Sequence, residues 1–218
     1  SIRTLDTGIR LRGVKVVGHF NIEFLVGDLK SKEGPRGFFK FYNKLWNEKQ
    51  LGPKPVKDPL QLLEKNADGT PRTNNTYSIG GMKEYWACLN NPHWRAVLKA
   101  WVRHGIRAGV DGFMINYFYR HNCLCEHCQK SFRSYLGQRF SAAELKTKFK
   151  INQLATHKFT EIGAWHNPAV STLFKREQLR FSQIATKDCF DEVFVRYGRS
   201  LKPGLIVGQW NHIGRFSQ

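Results

Sequence analysis

Three cysteines crowd into Cys123-x-Cys125-x-x-Cys128, a spacing too tight for independent disulfides and well suited to a metal. Zinc is the first candidate for thiolates arranged this way. A fourth, Cys88, stands just before a helix expected to open at Pro92, and Cys123 stands just after a strand expected to end near Tyr117. A helix of about seventeen residues descends roughly 25 Å. A strand of about seven residues climbs back roughly 23 Å. Cys88 is thereby returned to the face that carries Cys123, Cys125 and Cys128, and four thiolates could close a tetrahedral site. Such a site has no open position, so its expected role is to pin two loops together and not to activate water. The alternative is three buried free thiols with Cys88 elsewhere. Cys189, on an apolar-rich helix, reads as a core thiol.

Carboxylates and planar or aromatic groups form the second set. Glu23 follows the first strand, and Glu161 lies in a loop with Trp165 and His166, so these two are the candidate catalytic carboxylates. The plainer reading of each is a loop carboxylate paired with one of thirty-five Lys and Arg residues. Asp28 and Glu84 are weaker candidates, and Asp111, at the amino end of its strand, reads as structural. Sugars are held by aromatic faces and by amides or carboxylates that bond adjacent hydroxyls. Trp86, Tyr119, Trp165, Trp210, His19, Asn21, Asn116, Asn211 and His212 all fall on or near expected strand ends and mark a candidate carbohydrate cleft, with His166 close by. Arg120 and His121 add positive charge suited to an acidic or sulfated glycan.

The elements that must position these groups follow from periodicity and punctuation. Val14 to Phe20 is a β-branched run that predicts a buried strand. About seventy residues from Asn21 to Asn91, rich in Gly and Pro, then exceed an ordinary βα connection and read as a long functional loop. Asn91-Pro92 gives an N-cap and a first-turn proline, and Trp94, Val97, Leu98, Trp101 and Val102 recur at helical spacing, which predicts a helix from Pro92 to about Ala108 closed by Gly109. Val110 to Tyr117 is a second strand. A helix to about Phe140 follows, then a capping box at Ser141 to Glu144. A long helix from about Ser171 to Leu201, with Phe190, Val193, Phe194, Tyr197 and Leu201 on one stripe, stops at Pro203-Gly204, and Leu205 to Trp210 is a third strand. Strands alternating with helices predict an α/β fold with a parallel sheet, either TIM-like (β/α)8 units or a doubly wound sheet. No Gly-x-Gly-x-x-Gly follows any strand, which argues against dinucleotide binding.

Two hundred and eighteen residues with 41% hydrophobic and 13% aromatic content support one core and exclude a disordered chain. No apolar run approaches the ~20 residues of a membrane span. Three strands do not close an eight-stranded barrel. The expected reading is a single partial barrel domain over residues 1–218, completed by the remainder of the barrel or by a second copy of the chain. No signal peptide is present in the sequence, and thiolates favour a reducing compartment. A net charge of +18 attracts phosphate, sulfate or carboxylate polymers.

One segment resembles a known family. Tyr85-Trp86-Ala87-Cys88-x-Asn90-x-Pro92-x-Trp94-Arg95, Asp111-Gly112-Phe113-x-x-Asn116 and Cys123-x-Cys125-Glu126-x-Cys128-x-x-x-Phe132-Arg133-x-Tyr135-Leu136 are similar to glycoside hydrolases of the family 42 β-galactosidase type. The resemblance implies a (β/α)8 catalytic barrel, a zinc held by Cys88, Cys123, Cys125 and Cys128, and two catalytic carboxylates. It makes Asn116 a ligand of a substrate hydroxyl. The family places a general acid/base Glu directly after that Asn, where this chain has Tyr117, and its nucleophile comes from a later strand. Retaining hydrolysis needs carboxyls about 5 Å apart and inverting hydrolysis about 6.5 to 9.5 Å. The expected function is therefore a glycosidase acting on a galactoside or an anionic polysaccharide. The alternatives are a zinc-stabilised nucleic-acid-binding module, with +18 supplying phosphate contacts, or a catalytically inactive sugar-binding fragment.

Overall fold

A computed structural model describes residues 13–116, 121–162 and 172–210, without the side chains of 75–77 and 210. In chain order the elements begin with strands β1 (Val17–Asn21) and β2 (Phe24–Asp28), helix α1 (Gly37–Lys40), a π-helical turn (Phe41–Leu45), α2 (Glu48–Leu51) and a 3-10 turn (Pro59–Leu62). Strands β3 (Thr73–Ile79) and β4 (Met82–Trp86), helix α3 (Pro92–Ala108), strand β5 (Gly112–Asn116), and helices α4 (Glu126–Arg139) and α5 (Ala142–Phe149) follow. Helix α6 (Leu173–Phe190) runs on through π-helical turns (Asp191–Gly198) into α7 (Arg199–Leu201), and β6 (Ile206–Trp210) comes last.

Two three-stranded sheets result. One is parallel, in the order β1-β5-β6, and the other is antiparallel, in the order β2-β4-β3. The fold is thus mixed α/β with a parallel sheet. The second sheet and the short helices occupy the segment expected to be one long loop. Its strands escaped notice because Thr73 to Thr76 are all polar and only Phe24, Leu25 and Val26 form an apolar run in β2, too short to show a period of two.

Helix α3 begins and ends where its caps require. Asn91 Oδ1 accepts from the His93 amide at 2.9 Å, Pro92 fills the first position, and Gly109 closes the helix at φ 104°. The first strand is shorter than expected, because Val16 is spent on Asp111. The Val16 amide donates to Asp111 Oδ2 at 3.0 Å, and the Asp111 amide donates to Val16 O at 2.7 Å. Lys202 Nζ, 3.0 Å from Asp111 Oδ1, completes this tie at the amino end of the sheet, which is the structural role the sequence suggested.

Side chains alternate across the parallel strands. Phe20 turns toward the helices, with ring centroids 5.5 Å from Phe113, 5.0 Å from Phe194 and 6.1 Å from Trp101. Trp94 is fully buried beside them and donates its indole N–H to Ile22 O at 2.7 Å. Arg95 and Lys99 reach Glu192 Oε2 and Oε1 at 2.6 and 2.5 Å and tie α3 to the long helix. Leu201 was expected on the same stripe as Val193 and Phe194, yet it is 42% exposed. The wider π-helical turns between them change the angular step per residue and rotate Leu201 outward. A second core, centred on Phe132, Leu136, Leu145, Ile151 and Phe159, joins α4, α5 and α6.

The opposite face of the parallel sheet carries Val17, His19 and Asn21 in register with Gly112, Met114 and Asn116, and with Ile206, Gly208 and Trp210. It is poorly covered: Val17 is 40% and Ile206 43% exposed. Parallel sheets are normally covered on both faces. Among the described residues, no helix is long and apolar enough to cross a membrane.

The closest approach in this sheet is at Gly112, where a Cβ would lie 2.3 Å from Ile206 O. Gly112→Ala should therefore destabilise the fold by about 1–3 kcal/mol. Urea denaturation followed by tryptophan fluorescence measures this, and an unchanged midpoint would contradict the close packing of β5 on β6.

Candidate functional site: a four-cysteine centre beside the strand ends

Cys88 follows β4, Cys123 and Cys125 lie in the approach to α4, and Cys128 sits in the first turn of that helix. Their sulfur atoms all lie within 4.8 Å of one another. Cys88 Sγ is 3.5 Å from Cys125 Sγ and 3.4 Å from Cys128 Sγ. Tetrahedral thiolate coordination at 2.3 Å places sulfurs about 3.8 Å apart, so the cluster fits a zinc-sized ion. The segment before β3 clamps it. The Lys65 amide donates to Cys123 Sγ at 3.3 Å, the Leu124 amide to Lys65 O at 2.9 Å, and the Cys88 amide to Leu62 O at 2.9 Å. Burial pushes the Cys88 and Cys128 thiols up, whereas hydrogen bonds from Cys123, Cys128 and Cys88 hold the less buried Cys125 thiol far below its ordinary value. Cys189 is apart from the cluster, in the core, where burial pushes its thiol up to about 12.

His121, expected among the sugar-binding groups, is instead buried against the cysteines. Its Nε2 lies 3.0 Å from Cys128 Sγ and its Nδ1 lies 2.8 Å from Glu64 Oε1. Glu64, 1% exposed, also lies 3.5 Å from Arg72 Nε, and Arg72 Nη2 is 3.1 Å from Glu161 Oε1. The sequence reading missed Glu64 and Arg72. The available signal was position: a carboxylate directly after Leu62 and Leu63, both fully buried, has to be satisfied inside the protein.

At the carboxyl ends of the parallel strands Asn21, Asn116 and Trp210 stand in register on one row. Asn21 Oδ1 accepts from the amides of Phe24 at 3.0 Å and Glu23 at 3.4 Å, so this side chain shapes the turn from β1 into β2. Asn116 Oδ1 is buried and accepts no hydrogen bond from any described residue. His19 is exposed on the same face. Trp86 is half-buried and packs edge-on against Phe24 at 5.9 Å. Glu23 is buried just beyond β1, and its carbonyl accepts from the Ala87 amide at 2.6 Å. Glu161 is partly exposed and engaged by Arg72, the plainer of the two roles considered for it. Tyr117, Tyr119, Arg120, Trp165, His166, Asn211, His212 and the side chain of Trp210 lie outside the described residues.

The fold has relatives among solved structures. A β-galactosidase from Rahnella sp. R3 aligns over 95% of this chain and 27% of its own, at 17% identity and a TM-score of 0.55. One from Bacillus circulans sp. alkalophilus aligns over 73% of this chain and 25% of its own, at 17% identity and a TM-score of 0.50. The chain therefore spans about a quarter of the length of these proteins, and at such identity the likeness concerns the fold alone. No protein-family model and no curated protein matches the sequence.

Glu84, on β4, is a further buried carboxylate. Asn74 Nδ2 donates to its Oε2 at 2.9 Å, and burial, the larger influence, raises its pKa above the ordinary 4.5. A raised pKa favours the protonated form in the folded state, so the ionised group costs stability above the folded pKa and costs nothing below the unfolded one. Glu84→Gln should therefore be more stable than the wild type at pH 7, and the gain should vanish as pH falls below 4.5. Thermal melts across that range test it, and a destabilised variant at pH 7 would show that the charge itself is needed.

Proposed function

We propose that the chain is part of a (β/α)8 barrel of the glycoside-hydrolase type, that its strand-end face binds a carbohydrate, and that a zinc ion at Cys88, Cys123, Cys125 and Cys128 braces that face. The observation that carries the reading is Asn116 Oδ1, a buried acceptor left open at the carboxyl end of β5. A sugar hydroxyl is the kind of donor such an atom takes, and strand ends are where barrels place their chemistry. The β-galactosidase-like fold and the uncovered sheet face support the same reading, since that face becomes the interior of a closed barrel. Each carries the idea only in combination with the open acceptor.

In this reading the residues divide the work as follows. Asn116 bonds a ring hydroxyl, Trp86 offers an aromatic face, and His19 lines the same wall. Glu23 remains the candidate carboxylate for the chemistry, because it is buried at a strand end, while Glu161 is held by Arg72. Its partner carboxylate is supplied by a later strand, as the sequence resemblance implies. The zinc touches no substrate. It holds the Cys88 and Cys123–Cys128 segments at fixed height beside the cleft. With His121 committed to the cysteines, a preference for an anionic glycan rests on Arg120 and on the net charge of +18.

Metal analysis of chain purified without chelator should find one zinc, and chelation should lower its melting temperature. Asn116→Ala should keep the fold by circular dichroism and lower affinity for a cognate oligosaccharide about tenfold, equal to ~1.4 kcal/mol. A glycan array in which neither galactosides nor sulfated oligosaccharides bind, together with salt-steep nucleic-acid binding, would overturn the proposal in favour of a nucleic-acid module.

A further inference from the structure

We propose that His121 is a positioning residue for the metal centre. It donates its Nε2–H to the sulfur of Cys128, and Glu64 holds the ring in that orientation. The inference rests on the reading that the four cysteines bind zinc, and it goes beyond that reading by naming what sets the affinity of the site.

The geometry supports this from both ends of the imidazole. Nε2 lies 3.0 Å from Cys128 Sγ, and Nδ1 lies 2.8 Å from Glu64 Oε1. The imidazole thus lies between the carboxylate, which it meets in a close ion-pair contact at Nδ1, and the Cys128 sulfur at Nε2. The ring cannot easily turn out of this position. The His121 amide donates to Ser182 Oγ at 2.9 Å, which fixes the backbone to α6, and the adjacent Asn122 amide donates to the same Glu64 Oε1 at 3.2 Å. Asn90 Nδ2 is a second donor to Cys128 Sγ, at a longer 3.5 Å. Glu64, His121 and Cys128 are all buried.

Chemistry gives the arrangement a purpose. Zinc held by four thiolates leaves a net charge of −2 in a buried place, which is costly unless donors share it. Backbone amides relieve Cys123, from Lys65 at 3.3 Å and Cys125 at 3.4 Å. Cys128 has a side-chain donor instead. A hydrogen bond on a ligating sulfur draws off charge and fixes the direction of its lone pairs. Removing such outer partners typically weakens metal binding 10- to 100-fold. The Glu64 amide donates to Trp86 O at 2.7 Å beside Cys88, while its carboxylate meets His121 and Asn122, so this one residue touches both ligand-bearing segments.

The test uses the full chain and two probes, zinc in competition with a chromophoric chelator and cobalt(II) as a spectroscopic substitute. His121→Phe, which keeps the ring volume and loses the donor, should bind zinc 10- to 100-fold more weakly and shift the sulfur-to-cobalt charge-transfer band. His121→Gln, whose side-chain amide reaches the position of Nε2, should recover most of the affinity and the band. Glu64→Gln should move both readouts in the same direction as His121→Phe by a smaller factor, and it guards against a His121→Phe variant that fails to fold. Wild-type affinity and an unshifted band in His121→Phe, or in Glu64→Gln should the former be insoluble, would overturn the inference while leaving the zinc reading intact. A wild-type chain that takes up neither metal would overturn both.

Discussion

Four sulfur atoms brought within 4.8 Å of one another set the constraint on which the upper part of this structure depends. The segments that carry them are far apart in the chain, one leaving the antiparallel sheet and the other entering α4. Few apolar side chains join them locally, and the cluster forms its own small core, separate from the two larger ones. What closes around it is polar and directional: amides on sulfur, Glu64 on His121, and the Leu62 and Lys65 carbonyls on the cysteine segments. Burying so many polar groups is tolerable only when nearly all are satisfied. The centre therefore dictates where the insert between β1 and α3 can sit.

That insert was the least legible part of the sequence. Helix α3 was readable to the residue because Asn91, Pro92 and Gly109 mark its ends and five apolar positions mark its inner face. The capping box at Ser141 and Glu144 was equally plain. The strands β2, β3 and β4 were not, since β2 pairs with β4 far along the chain, its apolar run is too short to show a period of two, and β3 is largely polar. Cys88 could be placed with the other three cysteines from segment lengths alone, as a helix down and a strand back nearly cancel. Glu64 and His121 could not, because the contact that unites them depends on a side-chain orientation that only the folded loops impose.

At the strand ends Asn21 and Asn116 stand on one row, as the strand pattern implied, and their surroundings differ. Asn21 and Asn116 are the same amino acid at equivalent positions on adjacent strands, and they differ in what surrounds them. The oxygen of Asn21 is consumed by the turn it shapes, while that of Asn116 remains open. Glu23 and Glu161 differ in setting too, one buried at the end of β1 and the other held at the surface by Arg72. Local residue type announces the capacity to bind. The neighbours decide whether that capacity is already spent.

At the other end of the sheet, the pair of hydrogen bonds between Asp111 and Val16 fixes more than a junction. It sits one residue before β1 begins, so it counts out the register of everything that follows. A slip by a single position would turn Phe20 toward the uncovered face and drive His19 into the aromatic cluster of Phe113, Phe194 and Trp101. One carboxylate, at the far end of the sheet from the strand-end residues, thus acts as the index mark that determines which side chains of β1 face the helices and which the opposite side.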